Sequence, residues 1–172
     1  MRRPLFAVAA VVTALAVAAC GRPQGQVADL PTGPLTKGEY VDAFEASATG
    51  LAQRYGVDDK ARDATDAEQA DRVARLQRLL RAWADRLGGL QPPAEARRAH
   101  IRYVAGVRSF AGDLDRARTA LQRGDRAGAD RLISTGRIVS ARTRADLVAA
   151  RRAFHDLGYE IRNLDTAPVK TE

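Results

Sequence analysis

The chain has 172 residues, of which 45% are hydrophobic and 28% are charged, and its formal net charge is +7. This composition is typical of one globular domain. A single cysteine excludes an intramolecular disulfide, so folding depends on the burial of apolar side chains. Acidic residues are interspersed among the basic ones along the whole chain, which excludes a polybasic tail, although a modest positive charge favours contact with anionic surfaces.

Residues 1–19 have the three parts of a secretory signal. Arg2 and Arg3 form a short positive region, residues 5–19 are an apolar run, and small residues end it. A helix needs about 20 apolar residues to span the hydrocarbon core, so this run is too short. We predict a signal peptide that is removed on export. The arginine pair leaves twin-arginine export open beside the general secretory route.

Cys20 follows the signal directly. The sequence Val-Ala-Ala-Cys-Gly at 17–21 resembles the lipobox of bacterial lipoproteins, in which the cysteine receives a diacylglycerol and the signal is cut just before it. Two acyl chains make a lasting anchor, because each buried CH₂ contributes about 0.8 kcal/mol and one chain binds only marginally. We therefore predict lipidation at Cys20 and a location at the outer face of the cytoplasmic membrane. An ordinary signal peptide with an incidental cysteine, or a retained membrane anchor, is the alternative.

A linker is predicted over residues 20–34, beginning with the lipidated cysteine. Positions 21–34 contain three prolines and three glycines without helical periodicity. As a flexible coil, this linker would span roughly 20 Å. It would hold the following domain near the bilayer.

Four amphipathic helices are predicted over residues 35–164. The first two begin at capping boxes, Thr36 with Glu39 and Thr65 with Glu68. Both carry apolar residues at helical spacings of three and four, and each ends at a glycine.

The third helix is predicted to start at a Pro-Pro pair and to carry an apolar stripe from Ala96 to Leu121 with heptad spacing. The fourth is predicted from Arg126 to Leu157, with Gly136 as a point of kinking. Four such helices with short connections predict an all-α fold, an antiparallel up-down four-helix bundle. Residues 165–172 are predicted to be a disordered tail.

Four segments of the domain follow one another in order: LTKGEYVDAFEASA, LQPPAEARRAH, LQRGD and FHDLGYEI. They resemble the landmarks of a family of small actinobacterial lipoproteins of unknown function. The resemblance implies a helical fold and an envelope location, and no catalytic residues. It also implies a cysteine pair, whose positions here hold Ala48 and Arg162, so this chain departs from the family there.

His100 and His155 are the only histidines. In an antiparallel bundle, the start of the third helix and the end of the fourth share one end, so the two could approach and bind a metal with Glu95 or Asp156. The chain lacks the Glu-x-x-His pairs of bundle metal sites. We therefore expect a packed or capping His100, an exposed His155, and neither metal nor cofactor.

An enzyme is not expected. Ser109, Ser134 and Ser140 lack the strand-turn-helix elbow of a serine nucleophile. Asp113 and Asp115 are predicted to be solvated surface residues rather than a buried acid pair.

Trp83, Tyr103 and Phe110 lie on apolar stripes, and with His100 they are candidates for lining a ligand pocket. Their more ordinary interpretation is core packing. The basic amphipathic segment 72–86 is predicted to be a solvated arginine face, and export separates it from cytoplasmic nucleic acid.

The predicted function is a non-catalytic binding or adaptor module of the cell envelope, attached to the membrane through the diacylglycerol on Cys20. Its partner would be an envelope protein, a glycan or an anionic lipid. The alternative is a carrier of a small apolar ligand or lipid in a pocket between helices.

Overall fold

The structure is a computed structural model that describes residues 33–55, 64–162 and 164. The predicted signal peptide, Cys20, nearly all of the predicted linker and the predicted tail over 165–172 lie outside the described residues. So does the predicted end of the first helix at Gly56.

All regular secondary structure in the described ranges is helical, which confirms the all-α class. A 3-10 turn precedes the third helix. The helices are α1 (Lys37–Tyr55), α2 (Asp66–Gly88), α3 (Arg97–Asp113), α4 (Asp115–Gln122), α5 (Arg126–Ser134) and α6 (Ala141–Asp156).

Both predicted capping boxes are confirmed. The backbone N–H of Thr36 donates to the carboxylate of Glu39 at 2.8 Å, and the N–H of Glu39 donates back to the Thr36 hydroxyl at 3.4 Å. Thr65 and Glu68 make the same reciprocal pair at 2.7 and 3.2 Å. Each box satisfies donors that a helix start leaves unpaired, so α1 and α2 begin where the local sequence predicts.

The predicted third helix is described as α3 and α4, which meet at Leu114. Leu114 keeps helical dihedral angles, with φ −63° and ψ −17°. The apolar stripe therefore continues across the junction, and Ala111, Leu114, Ala117 and Leu121 are all buried.

The prediction of one continuous fourth helix is wrong, because the helix is interrupted between Ser134 and Ala141. Gly136 adopts φ +66°, a conformation that glycine accepts readily and that ends α5. Ser140 then starts α6, since its side chain accepts from the N–H of Thr143 at 3.2 Å. The break lets Ile138 and Val139 enter the core.

A main hydrophobic core and a smaller cluster of Ala70, Leu121 and Ala129 join the helices. α2 packs against α1, α3 and α4, while α3 packs on α6 and α4 on α5. The approach of α3 to α6 depends on Gly106, where an added Cβ would lie 2.8 Å from the Leu147 side chain.

The starts of α1 and α3 and the ends of α2 and α6 meet at one place, which we call the near end. Leu35 donates its N–H to the carbonyl of Gln91 at 2.9 Å, and Lys37 donates to the carbonyl of Leu157 at 2.9 Å. The opposite end, called the far end, contains the α4–α5 junction and the start of α2, where Arg126 donates to the carbonyl of Ala64 at 3.0 Å.

The segment after α6 packs back onto the core, as Tyr159, Ile161 and Leu164 are buried. Arg162 donates its backbone N–H to Glu45 at 2.8 Å, one helical turn before Ala48 in α1. The segment that carries one position of the implied cysteine pair therefore lies against the helix that carries the other. Here a hydrogen bond and a 3.8 Å ion pair between Arg162 and Glu45 make the connection.

Candidate functional site

A buried polar contact lies at the centre of the near end. The hydroxyl of Tyr40 is 2.9 Å from Nδ1 of His100, and both side chains are buried. Burial raises the pKa of Tyr40 well above its usual range and lowers the pKa of His100. Because both shifts favour the neutral forms, the contact is a neutral hydrogen bond that joins α1 to α3.

Aromatic rings surround this contact. The ring of Tyr40 packs against those of Phe154 and Tyr159, with centroids 6.1 and 5.8 Å apart. Lys37 extends over the Tyr159 ring, with Nζ 4.7 Å from its centroid. These contacts join the start of α1, the end of α6 and the segment after α6. Each such pair of rings contributes about 0.5–1.5 kcal/mol beyond its buried area.

Tyr103 and Trp83 are brought together by the structure. Their ring centroids are 6.1 Å apart, and the ring of Phe44 lies 5.2 Å from that of Tyr103. Tyr103 is buried, while Trp83 and Phe110 are half-buried and pack against the core. Trp83 and Tyr103 are two of the predicted pocket-lining residues. The space around them is filled by packed aromatic rings.

The two histidines have different environments. The side chain of His155 is 90% exposed and lies 3.8 Å from Asp156, whereas His100 is buried against Tyr40. Glu95 accepts a hydrogen bond from the Tyr159 hydroxyl at 3.0 Å. Within the ranges that the structure describes, no group of three or more histidine, cysteine or acidic residues is arranged to hold a metal ion.

The prediction that Asp113 is a solvated surface residue is wrong. Its carboxylate accepts from the backbone N–H of Ser140 and from the hydroxyl of Thr143, both at 2.7 Å. Only 14% of its side chain is exposed. The break before α6 brings the start of that helix onto α3, so Asp113 and the Ser109 hydroxyl, 2.7 Å from Thr143, cap the start of α6.

An open groove lies at the near end, between the end of α2, the loop 90–92 and the part of α3 from Arg97 to Arg108. Its volume is about 720 Å³. Apolar residues line its floor and sides: Pro34, Leu90, Pro92, Ile101 and Val104. Ile101 is 62% exposed, although large apolar side chains are usually buried.

Arginines border this groove. Arg97 and Arg108 line it, and Arg108 forms a 2.9 Å ion pair with Asp85. Both partners of the pair are more than half exposed, so the pair is weak and can open to a competing anion. Arg98 and Arg102 are also exposed on α3 but do not line the groove, and Arg102 lies 3.9 Å from Asp146. The groove therefore combines an apolar floor with a mainly positive border.

Of the four residues predicted as candidates for a pocket lining, His100 lines the groove, whereas Trp83, Tyr103 and Phe110 do not. One signal for the groove is present in the sequence, because Ile101 lies beside the apolar stripe of α3 rather than on it. The other walls come from α2 and from the loop that follows it, and their position depends on packing.

No helix in the described part of the chain is both long and apolar enough to cross a membrane. No protein-family model, curated protein or solved structure matches this chain.

Proposed function

We propose that this protein is an exported lipoprotein whose helical domain is a non-catalytic binding module, held at the outer face of the cytoplasmic membrane by a diacylglycerol on Cys20. The signal-like residues 1–19 and the lipobox-like residues around Cys20 support the anchor. The resemblance to small actinobacterial lipoproteins supports the same location.

The observation that carries the binding function is the groove with its exposed Ile101. Covering an exposed isoleucine side chain contributes about 1.5–3 kcal/mol, so a partner that fills the groove gains affinity there. Arginine at the border of such a surface adds planar donors for carboxylates and phosphates. An apolar centre with a charged border is the usual composition of a binding surface.

We also propose that the helices form an antiparallel bundle of four columns: α1, α2, α3 with α4, and α5 with α6. The meeting of helix starts and ends at the near end supports this arrangement. A binding module of this type presents a rigid helix face to its partner.

The anchor is tested by Cys20→Ser. We expect the wild-type protein to fractionate with membranes and to carry the mass of a diacylglycerol on its N-terminal cysteine, whereas the variant loses that mass. A wild-type protein without the added mass would contradict the proposal.

The binding function is tested by proximity labelling of the acylated protein in its own envelope. Ile101→Ser should remove specific neighbours from the labelled set. Leu157→Ser, which changes another exposed apolar residue outside the groove, should leave that set unchanged. Lipid that co-purifies equally with the wild type and with Ile101→Ser in native mass spectrometry, together with unchanged labelling, would favour a carrier with a pocket between helices instead.

A further inference from the structure

We propose that the near-end groove faces the bilayer and holds an anionic phospholipid of that membrane, with the lipid phosphate at the arginine border and an acyl chain along the apolar floor. This inference rests on the proposed function, because the anchor at Cys20 brings the domain to the membrane. It adds the face that makes contact and the class of ligand.

The groove lies next to the first residues of the domain. Pro34 lines the groove, and the bond from Leu35 to Gln91 holds the start of the domain at the groove edge. Only 14 residues extend from Gly21 to Pro34, and even a fully extended chain of that length reaches no more than about 50 Å. The groove thus lies where the chain from Cys20 joins the domain.

The far end is distant from the point where the chain from Cys20 enters the domain, both along the chain and in space. α3 and α4 run from Arg97 to Gln122, a distance of about 39 Å at 1.5 Å per residue. That is several times the Debye length of about 8 Å at physiological ionic strength. Arginines at the far end are therefore screened from a bilayer that touches the near end.

The charge around the groove favours an anionic ligand. Arg97 and Arg98 are exposed in the first turn of α3, which contains no acidic residue. Arg102 and Arg108 follow on the same helix, and their acidic neighbours are Asp146 at 3.9 Å and Asp85 at 2.9 Å. Glu95, just before α3, is bonded to Tyr159. The charged residues that line the groove are Arg97, Arg108 and Asp85, so its border is net positive, which suits a phosphate.

The apolar and basic residues of α3 that line the groove follow a helical spacing. Arg97, Ile101 and Arg108 lie four and seven residues apart, which places them along one face of α3. On a membrane surface, this arrangement puts guanidinium groups at the phosphates and the isoleucine at the acyl boundary. The groove volume of about 720 Å³ is in the usual range for ligand sites of 300–1,000 Å³.

An acidic peptide would meet the same arginines. The bilayer is favoured over a peptide because the chain from Cys20 enters the domain beside the groove. The groove is therefore the part of the domain nearest to the membrane anchor. Binding of an acidic peptide in the groove, in place of lipid, would contradict the proposal.

The test uses the full acylated chain, reconstituted in vesicles of phosphatidylcholine with brominated acyl chains, with or without phosphatidylglycerol. Ile101→Trp places a fluorescent reporter in the groove. Ala127→Trp places one at an exposed site in the first turn of α5, at the far end. The wild-type protein supplies the background of Trp83. Bromine quenches tryptophan only at short range, so the signal reports which face touches lipid.

We expect Trp fluorescence at position 101 to be quenched when phosphatidylglycerol is present and to recover in high salt, with little quenching at 127. Arg97→Gln should raise the phosphatidylglycerol content needed for half-maximal quenching about fivefold. Arg123→Gln, an equal charge change at an exposed far-end site, should have no such effect.

Equal quenching at 101 and 127, or quenching at 101 that does not depend on phosphatidylglycerol, would overturn the proposal. Absence of quenching together with binding of a polyglutamate peptide that Arg97→Gln weakens would assign the groove to an acidic peptide instead. Mass spectrometry of the same preparation tests the diacylglycerol anchor at Cys20 separately from the lipid-binding groove. If Cys20 carries no diacylglycerol, the anchor fails, while quenching at 101 by added anionic vesicles still supports the groove.

Discussion

The hydroxyl of Tyr40 and Nδ1 of His100 lie 2.9 Å apart in the core and connect the first helix of the domain to the third. The two residues are 60 positions apart in sequence. Their hydrogen bond belongs to the end of the domain that also forms the groove, and His100 lines that groove as well. We therefore expect that removal of this contact lowers the free energy of unfolding.

Tyr40→Phe should lower the free energy of unfolding by about 1–3 kcal/mol, because it leaves a buried imidazole nitrogen without its partner. Chemical denaturation of the purified protein measures this change. Tyr159→Phe removes a half-buried hydrogen bond to Glu95 and should have a smaller effect. Equal losses in the two variants would show that the Tyr40–His100 bond is not the stronger contact.

Stability should decrease in mild acid because of His100. Burial lowers the pKa of its imidazole below the ordinary value of 6.5, so the unfolded chain binds the proton more readily. The contribution of His100 is complete above pH 6.5 and is lost as the pH falls through 6.5 towards the lower pKa of the folded state. Denaturation midpoints measured across this range check the prediction. His100→Gln should flatten the slope, whereas His155→Gln, at a 90% exposed side chain, should retain it.

Gly106→Ala should destabilise the protein by about 1–3 kcal/mol. The added methyl group would lie 2.8 Å from the Leu147 side chain and 3.4 Å from its backbone nitrogen, which forces α3 and α6 apart. Gly112→Ala is the matched control in the same helix, since nothing lies within 4 Å of its added Cβ. That control should stabilise by about 0.5–1 kcal/mol, as alanine favours helix more than glycine does. Thermal unfolding of both variants decides the sign.

Asp113→Ala should cost about 1.5–3 kcal/mol, because it leaves the Ser140 N–H and the Thr143 hydroxyl without their charged acceptor. Asp115→Ala changes a residue two positions away whose side chain is 48% exposed, and its effect should be smaller. Hydrogen exchange at the first turn of α6 measures the local consequence. Unchanged exchange there in Asp113→Ala would contradict the capping role.

Local features were predictable because they depend on residues three or four positions apart. The capping box of Thr36 and Glu39 and that of Thr65 and Glu68 are such features, and both are confirmed. The apolar stripe of α3 and α4 is another. The signals for the break in the last helix, Gly136 and Ser140, are also local, but a glycine inside a periodic stretch is compatible with a kink as well as with an end.

Asp113 shows why the rest could not be predicted. Its side chain is charged and lies off the apolar stripe of α3, so the pattern indicates a surface residue. Its acceptor role depends on where α6 begins and on how closely α6 approaches α3. Ile101 is similar, because its exposure depends on the position of the end of α2. The lipidation of Cys20 remains a prediction from residues outside the described ranges.

The amino-acid sequence alone determined that the described domain is helical and where α1 and α2 begin. Those properties follow from side chains that meet within one turn of the same helix. Only the tertiary structure decided that His100 bonds to Tyr40, that Asp113 caps α6, and that Ile101 lies in an arginine-bordered groove. Each of these depends on contacts between distant segments, which form when the apolar faces of separate helices are buried together.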